Sequence, residues 1–404
     1  MSEFGLPRGV AFIRPIAILI GGLLLLWFSI GVTFNFTIAD RHPELAQALW
    51  PVGVTARLAD AEVTLATPSP TSAKLEQVYK ALRNAALREP VSSYALGMLG
   101  AVTDYRQDKA RARTLFKLSE QMSRRNLLTQ MWLIQDAVGR DDVREAIHHY
   151  DRAMRVSVET REQLMPVLIS AASAPGILKE LLPVLAERPT WWRDFAREIS
   201  KTGSDPRAMS AIIIGLKPNL LNIDERHAAE GFLRRIVALK ARRIALRTVN
   251  RLEGKRGLYR TIQNGAFEEG LGLLPFAWLM HEQGEIQAYR GAVPNSGYGI
   301  WIETHNGVDG DAAKQLIGLG PGRHVFTGVV GSEPSVSAGQ VSINISCGGG
   351  QALKSFSVPA SSDMKKNFQF AFDVPKKNCW TQWITLHIAS ESDARRWLDD
   401  LLVR

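Results

Sequence analysis

The feature that most constrains this chain is a change in the spacing of its apolar residues between Gly254 and Phe267. Before it, in AKLEQVYKALRNAALREP and VSSYALGMLGAVTDYRQ, apolar residues recur three and four apart, the period of an amphipathic helix. After it, GYGIWIETH, GRHVFTGVV, GQVSINISC, NFQFAFDVP and QWITLHIA alternate apolar with polar between Gly, Pro, Asn and Ser turns, the period of a half-buried strand. One core cannot serve both patterns. At 404 residues, 46% of them hydrophobic, the chain has the apolar material for two. The expected fold class is therefore α+β multidomain, with helices over 40–255 and an all-β sandwich over 256–404.

Ahead of the helices, PIAILIGGLLLLWFSIGVTFNFTIA, from Pro15 to Ala39, holds no ionisable side chain and is bounded by Arg14 and Asp40. As a helix it would extend about 37 Å, enough for a hydrocarbon core with some tilt. A cleavable signal peptide is the alternative, although only Thr37-Ile38-Ala39 resembles a cleavage site. The tail, 1–14, carries Arg8 and Arg14 against Glu3, while 40–62 is net acidic, so the positive-inside bias keeps the N-terminus in the cytoplasm. The expectation is one transmembrane helix at 15–39, making a single-pass bacterial inner-membrane protein with its bulk in the periplasm. In that oxidising compartment Cys347 and Cys379, the only cysteines, are a disulfide candidate; two buried free thiols are the alternative.

Within the helical part, DYRQDKARARTLFKLSE and AVGRDDVREAIHHYDRA align at an offset of 34, matching Ala112 with Ala146, Phe116 with Tyr150, Asp108 with Asp142 and Leu99 with Leu133. A small residue and an aromatic four apart at that period resemble the tetratricopeptide repeat over roughly 74–157, although the Trp-Leu-Gly signature is only partly met. The resemblance implies a TPR-like solenoid whose groove takes a protein partner, here an envelope protein. Later helices lose the period. Trp191-Trp192 reads as core and edge packing, and His148-His149 as surface residues, since neighbours on a helix diverge.

The net charge of +9 is local: ten basic residues lie between Arg234 and Arg260, opposed only by Glu253. Arg243, Arg247 and Arg251, four apart, make one positive stripe. Outside a cytoplasm that stripe suits an anionic partner such as lipid headgroups, acidic polysaccharide or an acidic protein patch, and no nucleic acid is expected; a solvated face is the alternative.

In the β part, Asn264-Gly265, Phe267-Glu268, Pro275-Phe276 and Trp278 resemble the opening strand of jelly-roll carbohydrate-binding modules, and Trp397-Leu398-Asp399-Asp400-Leu401-Leu402-Val403 is similar to their last strand. Gly320-Pro321-Gly322-Arg323-His324-Val325-Phe326 is similar to the strand after a PG turn, with His324 where Tyr is frequent. The resemblance covers about 140 residues and implies sugar binding and, near the junction of first and last strands, a structural calcium held by Glu268 and Asp399, for which exposed turn carboxylates are the alternative. The combination of anchor, repeats and jelly-roll is similar to proteins associated with bacterial exopolysaccharide production.

A pyranose offers an apolar face and a rim of hydroxyls, so its site needs an aromatic platform with amides or charges around it. The glycan-binding candidates are Trp278, Tyr298, Trp301, Trp380 and Trp383, with Gln382, Glu303 and Asn306 as polar neighbours; alternation sends about half inward. No GxSxG, HExxH or phosphate loop occurs, so no enzyme is expected and no cofactor beyond calcium. The reading is a non-catalytic accessory protein binding polysaccharide through its jelly-roll and protein through its repeats. The alternative is a periplasmic scaffold whose jelly-roll binds no sugar.

Overall fold

The computed structural model describes residues 8–37, 42, 45, 54–68, 70–254, 260–268, 272–294, 297–305, 307–332, 339–359 and 365–404, with backbone alone for 8–18, 34–36 and 56. Asn306, Lys255, Arg256, residues 1–7 of the tail and most of 38–53 lie outside the described residues. Two compact units result, 1–160 and 161–404, and their division falls inside a helix rather than at the change of period.

The first unit opens with helix α1 (Arg8–Thr37). The expectation of a single-pass inner-membrane protein is overturned: among the described residues no helix is long and apolar enough to cross a membrane.

Helices α2 (Thr55–Ala66) and α3 (Ser72–Arg88) follow, and then two helix pairs: α4 (Ser93–Tyr105) with α5 (Lys109–Met122), and α6 (Leu127–Gly139) with α7 (Val143–Val156). The second pair repeats the first at an offset of 34 in both bounds and caps. Ser92 and Asn126 cap the leading helices by accepting from Ala95 N and Thr129 N, while Asp108 and Asp142 cap the trailing ones. Gln107 and Asp141, in the turns between, both take left-handed backbone, as helix ends favour. Ala112 and Ala146 are buried where helices approach, and Phe116 stacks on Trp132 with ring centroids 4.4 Å apart.

The second unit starts within α8 (Val158–Ala171) and continues through α9 (Pro175–Ala186), α10 (Trp192–Thr202), α11 (Pro206–Leu216), α12 (Ile223–Ala238) and α13 (Arg242–Leu252). Trp191 and Trp192 are both buried beside Phe195, so the packing reading of that pair holds.

Among the described residues ten strands make two antiparallel five-stranded sheets. The first has the order β1-β4-β9-β6-β7, from Leu279–Met280, Asp309–Ile317, Gln382–Ala389, Gln340–Cys347 and Ala352–Ser357. The second has the order β2-β3-β10-β5-β8, from Ile286–Ala292, Tyr298–Thr304, Ala394–Val403, Gly322–Ser332 and Lys366–Val374. Ile300, Ile302 and Leu398 of one sheet and Ile343, Ile345, Ile384 and Leu386 of the other share one core, each side chain stabilising by about 1.5–3 kcal/mol.

The opening motif differs from the strand its resemblance implies. Of its described residues none pairs as a strand before Leu279; the segment is held by single contacts, Leu316 N donating to Pro275 O among them. Leu401 N donates to Gly265 O, and a Cβ on Gly265 would lie 1.8 Å from Leu401 O, so only glycine allows that approach. Phe267, Phe276 and Trp278 are the buried rings that pin it.

Candidate functional site

Alternation decides what each strand shows to solvent. In β9, Ile384, Leu386 and Ile388 enter the core, which turns Trp383, Thr385 and His387 outward. In β6, Val341, Ile343 and Ile345 enter it, which turns Ser342, Asn344 and Ser346 to the same side. Register places Trp383 opposite Ser346, Thr385 opposite Asn344 and His387 opposite Ser342. On the other flank of β9, Thr385 faces Lys314, whose ammonium stands 5.6 Å from the Trp383 ring centroid. Ser355 of the edge strand β7 donates to Asn344 at 2.7 Å.

The outer face of the first sheet is thus one partly open indole in a field of hydroxyls, amides and an ammonium. At its far end His387 stands 2.6 Å from Asp309 and 3.1 Å from Asp311, a charge cluster rather than a metal centre. Among the described residues no group of three or more His, Cys, Asp or Glu is arranged to hold a metal ion.

At the near end, the last residue of β6 is tied to the loop before β9 by the Cys347–Cys379 disulfide, whose Cα atoms are 5.0 Å apart. Gly348 N donates to Thr381 O just beyond the bond. Trp380 projects here, 54% exposed, with the Arg243 guanidinium 4.2 Å from its ring centroid. The basic helix α13 therefore meets the sandwich through one residue of its stripe, while Arg247 and Arg251 stay exposed. Nothing local in the sequence joins Arg243 to Trp380, and Lys240, Arg242 and Thr381, which lie beside them, carry no motif.

The remaining candidates fall elsewhere. Trp278 is buried against Phe267, with centroids 5.8 Å apart, and offers no open ring. Gln382 is fully buried, donating to Cys379 O and accepting from Leu319 N, so it braces the disulfide loop. Trp301 lies on the outer side of the second sheet, in register with Tyr289 and Trp397. It is covered all the same: its indole donates to Ala292 O and the Arg395 guanidinium sits 4.5 Å from its ring centroid. Glu303 is held there by Tyr289 and Arg395.

Tyr298, 40% exposed, lies at the start of β3 under Arg290, 3.5 Å from its ring centroid. Glu268 accepts from Tyr298 N at 2.8 Å, and the buried Asp399 accepts from Asp400 N at 2.7 Å. Both carboxylates border the start of β3, since Asp399 packs beside Gly299. Two carboxylates supply only part of the six to eight oxygens calcium takes.

No family model matches the chain, and no curated protein matches it. Solved structures that are similar over the sandwich include a CBM4 carbohydrate-binding module, at 16% identity and TM-score 0.29, covering 35% of this chain and 97% of that one. A CBM61 module in complex with β-1,4-galactotriose is similar at 15% identity and TM-score 0.28, covering 35% and 95%. An arabinose-bound GH51 α-L-arabinofuranosidase is similar at 11% identity and TM-score 0.30, covering 36% of this chain and 26% of that one. Likeness at these scores carries no functional weight by itself, and the sandwich rests on its strand order and register.

Proposed function

We propose that the sandwich binds glycan on the outer face of β4-β9-β6-β7, with Trp383 as the platform. The observation that carries this reading is the register itself: one partly buried indole is surrounded by Ser346, Asn344, Thr385 and Lys314, the donors and acceptors that a sugar's hydroxyl rim requires. Its role is non-catalytic, and digestion assays should release no reducing ends. The 34-residue helix pairs, tetratricopeptide-like in period, supply the surface for a protein partner, and exopolysaccharide production is the setting this architecture fits.

Retardation of the whole protein in gels containing neutral or acidic polysaccharides tests the reading. At least one polymer should slow the protein, and Trp383→Ala, with unchanged thermal unfolding, should lose at least tenfold in affinity, about 1.4 kcal/mol. Unchanged retardation of that variant, or none by any polymer, would contradict it. Calcium at Glu268 and Asp399, completed by carbonyl oxygens, is proposed as structural: chelator should lower the melting temperature of the wild type but not of Glu268→Gln.

The scaffold reading has one observation in its favour, the burial of Trp278 and Trp301. Failure of every polymer in the gels would promote it.

A further inference from the structure

Where the first turn of α13 meets the disulfide-tied loops lies a cavity of about 230 Å³. Its cationic wall is Lys240, Arg242 and Arg243, no carboxylate lines it, and none of these three is ion-paired among the described residues. The helix begins there without a side-chain cap from Ala241 and without an acid in its first turn. Its unsatisfied amide groups and the positive end of its dipole therefore add to the field.

The walls of the cavity carry buried polar atoms without partners. Thr381 is 1% exposed and its Oγ1 is buried with no hydrogen-bond partner; Arg242 Nε is buried and unpartnered too. Buried polar atoms left so cost about 1–3 kcal/mol each unless something satisfies them. They converge because residue 348 is glycine: a Cβ there would stand 2.5 Å from both Arg242 Cδ and Thr381 Oγ1. Asn378 lines the rim, and the exposed Trp380 supplies an apolar ring beside the charges. A site for a bare inorganic anion has no use for that ring, whereas a pyranose carrying an acid group matches both parts. Thr381 also immediately precedes β9, and Trp383 stands two residues on at the near end of the proposed glycan face.

We infer that this cavity binds the carboxylate of a uronic-acid residue, so that the polymer lying along β4-β9-β6-β7 is an acidic glycan. The inference rests on the glycan-binding reading and names its substrate class. Arg242 and Arg243 pair the carboxylate, the Thr381 hydroxyl donates to it, and Trp380 takes the sugar face.

Calorimetric titration of the full chain tests it, using oligogalacturonate, a neutral β-1,4-galactan oligosaccharide of equal length, inorganic phosphate and polyglutamate as probes. Oligogalacturonate should bind at least tenfold more tightly than the neutral oligosaccharide, with affinity falling as salt rises. Arg243→Gln, on an exposed side chain, and the near-isosteric Thr381→Val should each abolish most of that preference while leaving any neutral binding unchanged, in protein whose cooperative melting shows that it is still folded. Equal affinity for the acidic and neutral oligosaccharides, indifferent to both variants, would overturn the inference and leave the glycan face standing. Binding of phosphate or polyglutamate in preference to either sugar would overturn it in favour of a plain anion or acidic-protein site. No binding of any sugar would remove both readings together.

Discussion

At the scale of single residues, the helical repeats hide a polar network that their sequence does not announce. His149, read as a surface residue, is buried: its Nδ1 lies 2.8 Å from Gln130 Oε1 and 3.1 Å from Glu120. Arg152 also pairs with Glu120, and Gln130 donates to Arg124 O. Those partners sit on neighbouring helices, so no local pattern distinguishes His149 from the exposed His148 beside it. Burial alone would raise the Glu120 carboxyl, but the hydrogen bond and charge from His149, with the charge and hydrogen bond of Arg152, outweigh it and bring it from 4.5 down to about 2. A carboxylate lowered in the fold contributes stability that is complete above about pH 4.5 and lost as pH falls toward 2. Glu120→Gln should therefore be less stable than the wild type at neutral pH, and the gap should close between pH 4.5 and 2 in denaturant melts; a constant gap would refute the assignment.

Between elements, each unit has a device that holds its own parts together. In the repeats, Phe116 fills the space between α5 and α6 against Trp132, and Phe116→Ala should cost about 3–5 kcal/mol in urea unfolding. In the sandwich, the Cys347–Cys379 bond closes a loop of 32 residues, which removes about 3–4 kcal/mol of unfolded-chain entropy. The double change Cys347→Ser with Cys379→Ser should lower stability by about that much and, because Gly348 and Thr381 flank the bond, weaken any ligand held there. Both devices were partly legible. Period 34 was readable because Ala112 and Ala146 must be small wherever helices touch, and alternation fixed which side of SINIS faces out. Unreadable were contacts across distance: Arg243 on Trp380, Arg395 covering Trp301, and Gln382 folded inward to brace a loop. Each depends on which elements pack together, and period says nothing of that.

Across the whole molecule, the last described helix ends at Leu252 and the first described strand opens at Leu279, on either side of the change of period near residue 260, yet the compact units divide a hundred residues earlier. The later helices share a unit with the β-sheets because α12 and α13 pack on them: Arg226 donates to Gly272 O, Glu230 accepts from Leu274 N, and Arg243 caps Trp380. A sandwich expressed from residue 256 alone would expose those surfaces and should be less stable than the 161–404 unit, as paired thermal melts would reveal. The central claim is that glycan lies on the outer face of β4-β9-β6-β7 beside this junction. The most direct test is a crystal structure of the protein soaked with the oligosaccharide that binds it best. The account predicts a sugar ring stacked on Trp383 with its hydroxyls on Asn344 and Thr385; a ligand seated on the β2-β3-β10-β5-β8 face would contradict it.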